Sequence, residues 1–105
     1  MDKHRLLVGS IKIINGEVLK RTEHVEFEGH RLASRSRKLD DEGTRGYTET
    51  LYYTSDRKLL VHLEDWSVQR GEGTIYTILE VTRQDLQTGG TFEELGQSAW
   101  AWLRR

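Results

Sequence analysis

The chain of 105 residues contains no cysteine and no proline. The first absence excludes a disulfide scaffold and a thiol nucleophile. It also fits a reducing compartment, so a cytoplasmic location is expected. Average usage would supply about five prolines, so turns must be built from Asn, Asp, Ser and the ten glycines. No apolar run approaches the roughly 20 residues of a spanning helix. Residues 1–5 lead into only three apolar residues, Leu6, Leu7 and Val8, against the seven or more of a secretory signal core. Neither sign of charge is in excess: 16 Lys plus Arg stand against 17 Asp plus Glu, a net charge of −1. That balance argues against a chain held to nucleic acid by overall charge. Three Trp, four Tyr and two Phe do not fit the composition of a disordered segment.

What is present reads as one small α+β domain. A chain of this length buries about 65% of its unfolded surface. That allows one core but no cleft between two lobes, which weighs against an enzyme. Residues 6–14 are rich in branched apolar side chains and end at Asn15-Gly16, a strong hairpin signal because both residues tolerate positive φ. Further strands are expected at 17–27, 31–38, 47–54, 59–64 and 74–81. Gly29 separates the second from the third, a polar loop covers 39–46, and another loop covers 69–73. Short connections predict antiparallel neighbours.

The period then changes. Thr82-Arg-Gln-Asp85 is a capping box and opens one or two helical turns over 83–88, stopped at Gly89-Gly90. Thr91-Phe-Glu-Glu94 is a second box and opens a helix over 92–103. Phe92, Leu95, Ala99, Trp102 and Leu103 lie along its apolar stripe, and Arg104 and Arg105 stand at its negative end. The expected fold is an antiparallel sheet of five or six strands with the C-terminal helix on one face. A partly open β-barrel capped by the helix is the alternative.

Three constellations are candidates for chemistry. Arg31, Arg35 and Arg37 share one face of the strand at 31–38, with Lys38 beside them and no acid between. Guanidinium forks suit phosphate, and Tyr47, Tyr52, Tyr53 or Trp66 could stack on bases. The plainer reading is a solvated strand paired with Glu49 across the ladder. His24-Val-Glu26 and His62-Leu-Glu64 each set an imidazole and a carboxylate on one strand face, extended by Glu28 and His30. If the two strands were neighbours, His24, Glu26, His62 and Glu64 could converge on zinc. Otherwise they are exposed polar residues. Lastly, Trp66 shares a face with His62 and Glu64, and Trp100 lies at the edge of the helix stripe.

No nucleophile elbow, Walker loop or Gly-x-Gly-x-x-Gly is present. Asp40-Asp41-Glu42 lacks the alternating spacing of an EF-hand. No catalytic residue and no cofactor is therefore expected. The expected function is a non-enzymatic binding module whose partner is another protein or a second copy of itself, a homo-oligomer. Its surface would be the sheet face away from the helix, built from Trp66, Tyr52, Tyr53 and His62, with Arg31, Arg35 and Arg37 nearby and Trp100 as a further aromatic contact. Phosphate or nucleic-acid binding through residues 31–38 is the alternative. A metal-dependent enzyme at the His-x-Glu pairs is a third reading.

Overall fold

Asn15 and Gly16 take positive φ, 51° and 78°. They close a two-residue turn between β1 (Asp2–Ile14) and β2 (Glu17–Lys38). Left-handed backbone at both positions matches the twist of the flanking strands. The strands pair from Ile14 opposite Glu17 to Asp2 opposite Gly29. The computed structural model describes residues 1–67 and 73–103. The chain continues through β3 (Arg45–Thr54), β4 (Leu59–Ser67) and β5 (Gly73–Val81). A 3₁₀ turn (Gln84–Leu86) and two short helices follow, α1 (Glu93–Ser98) and α2 (Trp100–Leu103). The loop expected at 69–73 lies outside the described residues except for Gly73, which opens β5. Arg104 and Arg105 also lie outside them.

β2 is one strand of 22 residues rather than two divided at Gly29. Gly29 is where it changes partners, facing Asp2 of β1 and Thr54 of β3. A Cβ there would overlap the Tyr53 carbonyl and sit 3.0 Å from the Thr54 Cα. The glycine therefore serves a close strand approach instead of a turn. β1 begins at Asp2 rather than Leu6, because its charged first residues join the ladder while their side chains face water.

Every pairing is antiparallel, and the sheet closes in the order β1-β2-β3-β4-β5. β2 gives residues 17–29 to β1 and 29–38 to β3. This large offset winds the sheet round until β1 meets β5. The closing seam is short, residues 9–12 against 73–76. The open sheet with one free face is thus corrected, and the barrel alternative fits.

Residues opposite each other in an antiparallel pair share a face, which separates the two sides of the wall. Leu51, Leu59, Val61 and Val81 form the buried core with Leu86, Leu95 and Ala99, and among the described residues no β1 side chain joins them. The opposite side links strands that are not neighbours. His62 Nε2 on β4 donates to the Leu7 carbonyl on β1 at 2.8 Å. The His4 ring on β1 lies 4.8 Å from Tyr52 on β3. Only the inside of the barrel permits both contacts. The apolar core therefore lies between the outer wall and the helices, while the lumen side carries polar and aromatic groups beside Leu60 and Ile78.

The helical region is more broken than its apolar stripe implies. The expected helix over 92–103 is interrupted at Ala99, whose φ of −97° and ψ of 7° separate α1 from α2. The turns expected over 83–88 reduce to the 3₁₀ turn. The first capping box forms: Thr82 N–H donates to Asp85 Oδ2 at 2.8 Å, and Asp85 N–H to Thr82 Oγ1 at 3.3 Å. The second does not. Phe92 occupies the cap without a side-chain hydrogen bond, and Glu93 accepts from Gly89 N–H at 2.9 Å. Packing overrides the local signal here. Leu95 and Ala99 are buried in the core while Trp102 sits 4.6 Å from the Tyr53 ring. Following the curved outer wall to make both contacts bends the chain between them.

Candidate protein-binding surface

Closure makes the sheet face expected to be free into the lumen. Tyr52 is buried at one end, edge-on to His4 and to Phe27 at 5.2 Å. Burial pushes its phenol above the ordinary value of 10. His62 stacks on Tyr76 at 6.0 Å. Burial first, and the nearby Glu64 carboxylate second, raise the Tyr76 phenol. Ser34 and Thr50 share a hydroxyl hydrogen bond of 3.1 Å, and Ser36 and Thr48 one of 2.8 Å. Trp66 lies across Gly46, where a Cβ would overlap the indole. Tyr52, His62 and Trp66 do share a face, as the alternation predicts, and it is the lumen side, where Tyr52 is buried and His62 and Trp66 are half-buried. Tyr53 is on the outer side beneath Trp102, whose ring also lies 5.9 Å from His30. Trp100 stands exposed on α2 beside Leu86, Gln87 and Gln97.

The arginines do not share one face. The register shifts between Arg31 and Ala33, with Leu32 as the extra residue. This bulge sets Arg31 opposite Tyr52 on the lumen side. Arg35 and Arg37 stand outside, opposite Glu49 and Tyr47. Arg35 pairs with Glu49 at 3.9 Å and with Glu94 of α1, and its guanidinium lies over the Tyr47 ring. It clamps a helix to the wall, so the cross-strand reading holds for Arg35.

Glu49 carries a pH signature. Burial, opposed by Arg35, raises its carboxyl above the ordinary 4.5. A raised carboxyl contributes stability that is complete below the unfolded pKa and is lost as pH rises through the folded one. Glu49→Gln is expected to flatten this loss. Relative to the parent, the variant's urea midpoint should rise between about pH 4.5 and about pH 7. A constant difference across that window would rule out burial of the charged form as the cause.

The His-x-Glu pairs do not converge. His24 and Glu26 lie on β2, His62 and Glu64 on β4, and β3 separates them. His24 Nδ1 is 3.3 Å from the Arg5 guanidinium, which donates to it, and Glu26 pairs with Lys3 at 3.4 Å and Arg5 at 3.7 Å. Among the described residues no three His, Asp or Glu side chains are placed to hold a metal ion. Asp40 instead organises its loop, accepting from the Thr44 hydroxyl and from Thr44 N–H at 2.8 Å. The Thr44 hydroxyl is the largest cause holding its carboxyl below 3.8.

An outward apolar feature lies on the β1–β2 ribbon. Residues 17–28 of β2 pair with β1 along one edge, and among the described residues no strand lies along the other. Val18 is 64% exposed, Ile13 59% and Leu19 48%. Ile13 faces Val18 on one side of the ribbon, while Ile14 and Leu19 share the other. Apolar residues on both faces of a two-stranded ribbon are a signal visible in Ile-Lys-Ile-Ile-Asn-Gly-Glu-Val-Leu, where strict alternation is missing. No family model matches the chain, and no curated protein or solved structure is significantly similar to it.

Proposed function

We propose that the chain is a small non-enzymatic binding module acting through protein–protein contact. The β1–β2 ribbon is its contact surface and a second copy its simplest partner. The observation that carries this reading is the exposure of Ile13, Ile14, Val18 and Leu19 on both faces of the ribbon. A two-stranded ribbon is marginally stable in water, and an unpaired strand edge is a template for another strand. A net charge of −1 opposes self-association only weakly. Trp66, Tyr52 and His62 serve the barrel interior in this reading. A cytoplasmic site of action belongs to it and rests on the lack of cysteine. Among the described residues no helix is long and apolar enough to cross a membrane.

Sedimentation velocity over about a hundredfold range of concentration tests the proposal. A mass that rises toward the dimer is expected. The double variant Ile13→Lys, Val18→Lys should stay monomeric, and at a concentration where the parent is also monomeric its unfolding midpoint should differ little, since exposed substitutions stay within about 0.5 kcal/mol. A parent that is monomeric throughout would remove the reading. In that case, nucleic-acid affinity falling steeply with salt would favour Arg31, Arg37 and Lys38 as the functional group instead.

A further inference from the structure

We infer that two copies join antiparallel along the free edge of β2, with the twofold axis passing at Thr22, so that the two ribbons make one four-stranded sheet. This rests on the binding reading above and specifies its partner and register. A twofold axis perpendicular to a sheet keeps each residue on its own face. Paired residues must also share a face, so one residue must sit opposite its own copy. The sequence of the edge then ranks the choices. With the axis at Lys20, Arg21 or Glu23, like charges meet at the centre, which is destabilising. With the axis at His24 or Val25, Glu23 meets Val25 or Phe27. With the axis at Thr22, a neutral hydroxyl meets itself. Arg21 then faces Glu23 twice and Leu19 faces Val25 twice. Lys20 faces His24, and Val18 faces Glu26.

The unpaired state of these groups within one chain supports the pairing. Lys20, Arg21 and Glu23 have no ion-pair partner among the described residues, and Leu19 and Val25 are exposed. One register supplies opposite charges to Arg21 and Glu23 and apolar cover to Leu19 and Val25. The hydrogen-bonding edge of residues 17–27 is left open by β3, which starts pairing only at Gly29, while the Glu28 carbonyl accepts from Ser55 N–H at 2.8 Å.

The absence of cysteine makes the test clean. Thr22→Cys should form an intermolecular disulfide under mild oxidation, since directly opposed Cα atoms stand about 4.5–5.5 Å apart. Lys20→Cys should not, because its copy lies four residues along the ladder, about 13 Å away. Arg21→Glu and Glu23→Arg should each weaken dimerisation in sedimentation by roughly tenfold or more, and the double exchange should restore it. Cross-linking at Thr22 alone, with recovery in the double exchange, supports the inference. Dimers that neither cross-link at Thr22 nor recover would overturn this register and leave the binding reading standing. Absence of any self-association overturns both.

Discussion

Leu51→Ala is expected to lower the free energy of unfolding by about 3–5 kcal/mol. Leu51 is fully buried and sits mid-wall on β3, opposite Ala33 on one side and Val61 on the other. Removing its branched end forfeits the transfer free energy of the lost carbons. It also leaves a cavity whose walls cannot close in. Two of those walls are strands held by ladder hydrogen bonds, and the third is the helical cover carrying Leu95. Poor collapse places the cost at the upper part of the usual range. The fraction lost is large, since a domain of this size has about 5–15 kcal/mol in total. Urea denaturation should show the loss as a lower midpoint with an unchanged slope. Leu39→Ala, on an exposed loop away from the ribbon, should move the midpoint little. A loss at Leu51 below about 1 kcal/mol would mean that the cluster under the helices is not what holds the fold.

Much of the wall was legible because strand signals are local. Asn15-Gly16 gives the hairpin, and the aromatic and β-branched run at 47–54 gives β3. The alternation of Leu59, Val61 and Leu63 gives the outward face of β4. Closure was not legible, because it depends on partner choice. Nothing around Gly29 says that the strand passes from β1 to β3 instead of ending. A glycine in a turn and a glycine beneath a close strand look alike in sequence. Arg31 and Arg35 fall on opposite faces for a related reason, since one extra residue at Leu32 inverts the parity of everything after it. Alternation sets His62 and Trp66 on one side of β4, but whether that side is outer or inner depends on the four-residue seam between β1 and β5. The helix stripe was correct in its apolar positions. It was too long because the curvature of the wall, which breaks the helix at Ala99, is a property of the closed sheet.

Gly96→Ala tests how the helical cover is seated, and two opposing effects decide its sign. Alanine is favoured over glycine in a helix by about 1 kcal/mol, so propensity alone predicts a more stable protein. Gly96, however, lies against the 3₁₀ turn. A Cβ would overlap the Leu86 carbonyl oxygen and approach its carbonyl carbon to 2.7 Å and its Cβ to 2.9 Å. The obstructing atoms are mainly backbone and cannot swing aside. Leu86 N–H is bonded to the Arg83 carbonyl at 3.1 Å, and the Asp85 carbonyl receives Phe92 N–H at 2.8 Å. α1 must therefore lift from the turn, opening the contact between Leu86 and Leu95 and pulling Glu94 from Arg35. The expected net result is destabilisation by about 3 kcal/mol, at the high end for an overpacked site. Faster hydrogen exchange is expected at the amides of Gly96 and Ala99, which bond to the Phe92 and Leu95 carbonyls. Gly89→Ala separates this clash from backbone strain: Gly89 has a φ of 83° and open space around it. It should cost about 1–2 kcal/mol from left-handed backbone alone and leave α1 protected. If Gly96→Ala instead raised stability by its propensity gain, α1 would not be resting on Leu86, and the covered core outside the barrel would lose its lid.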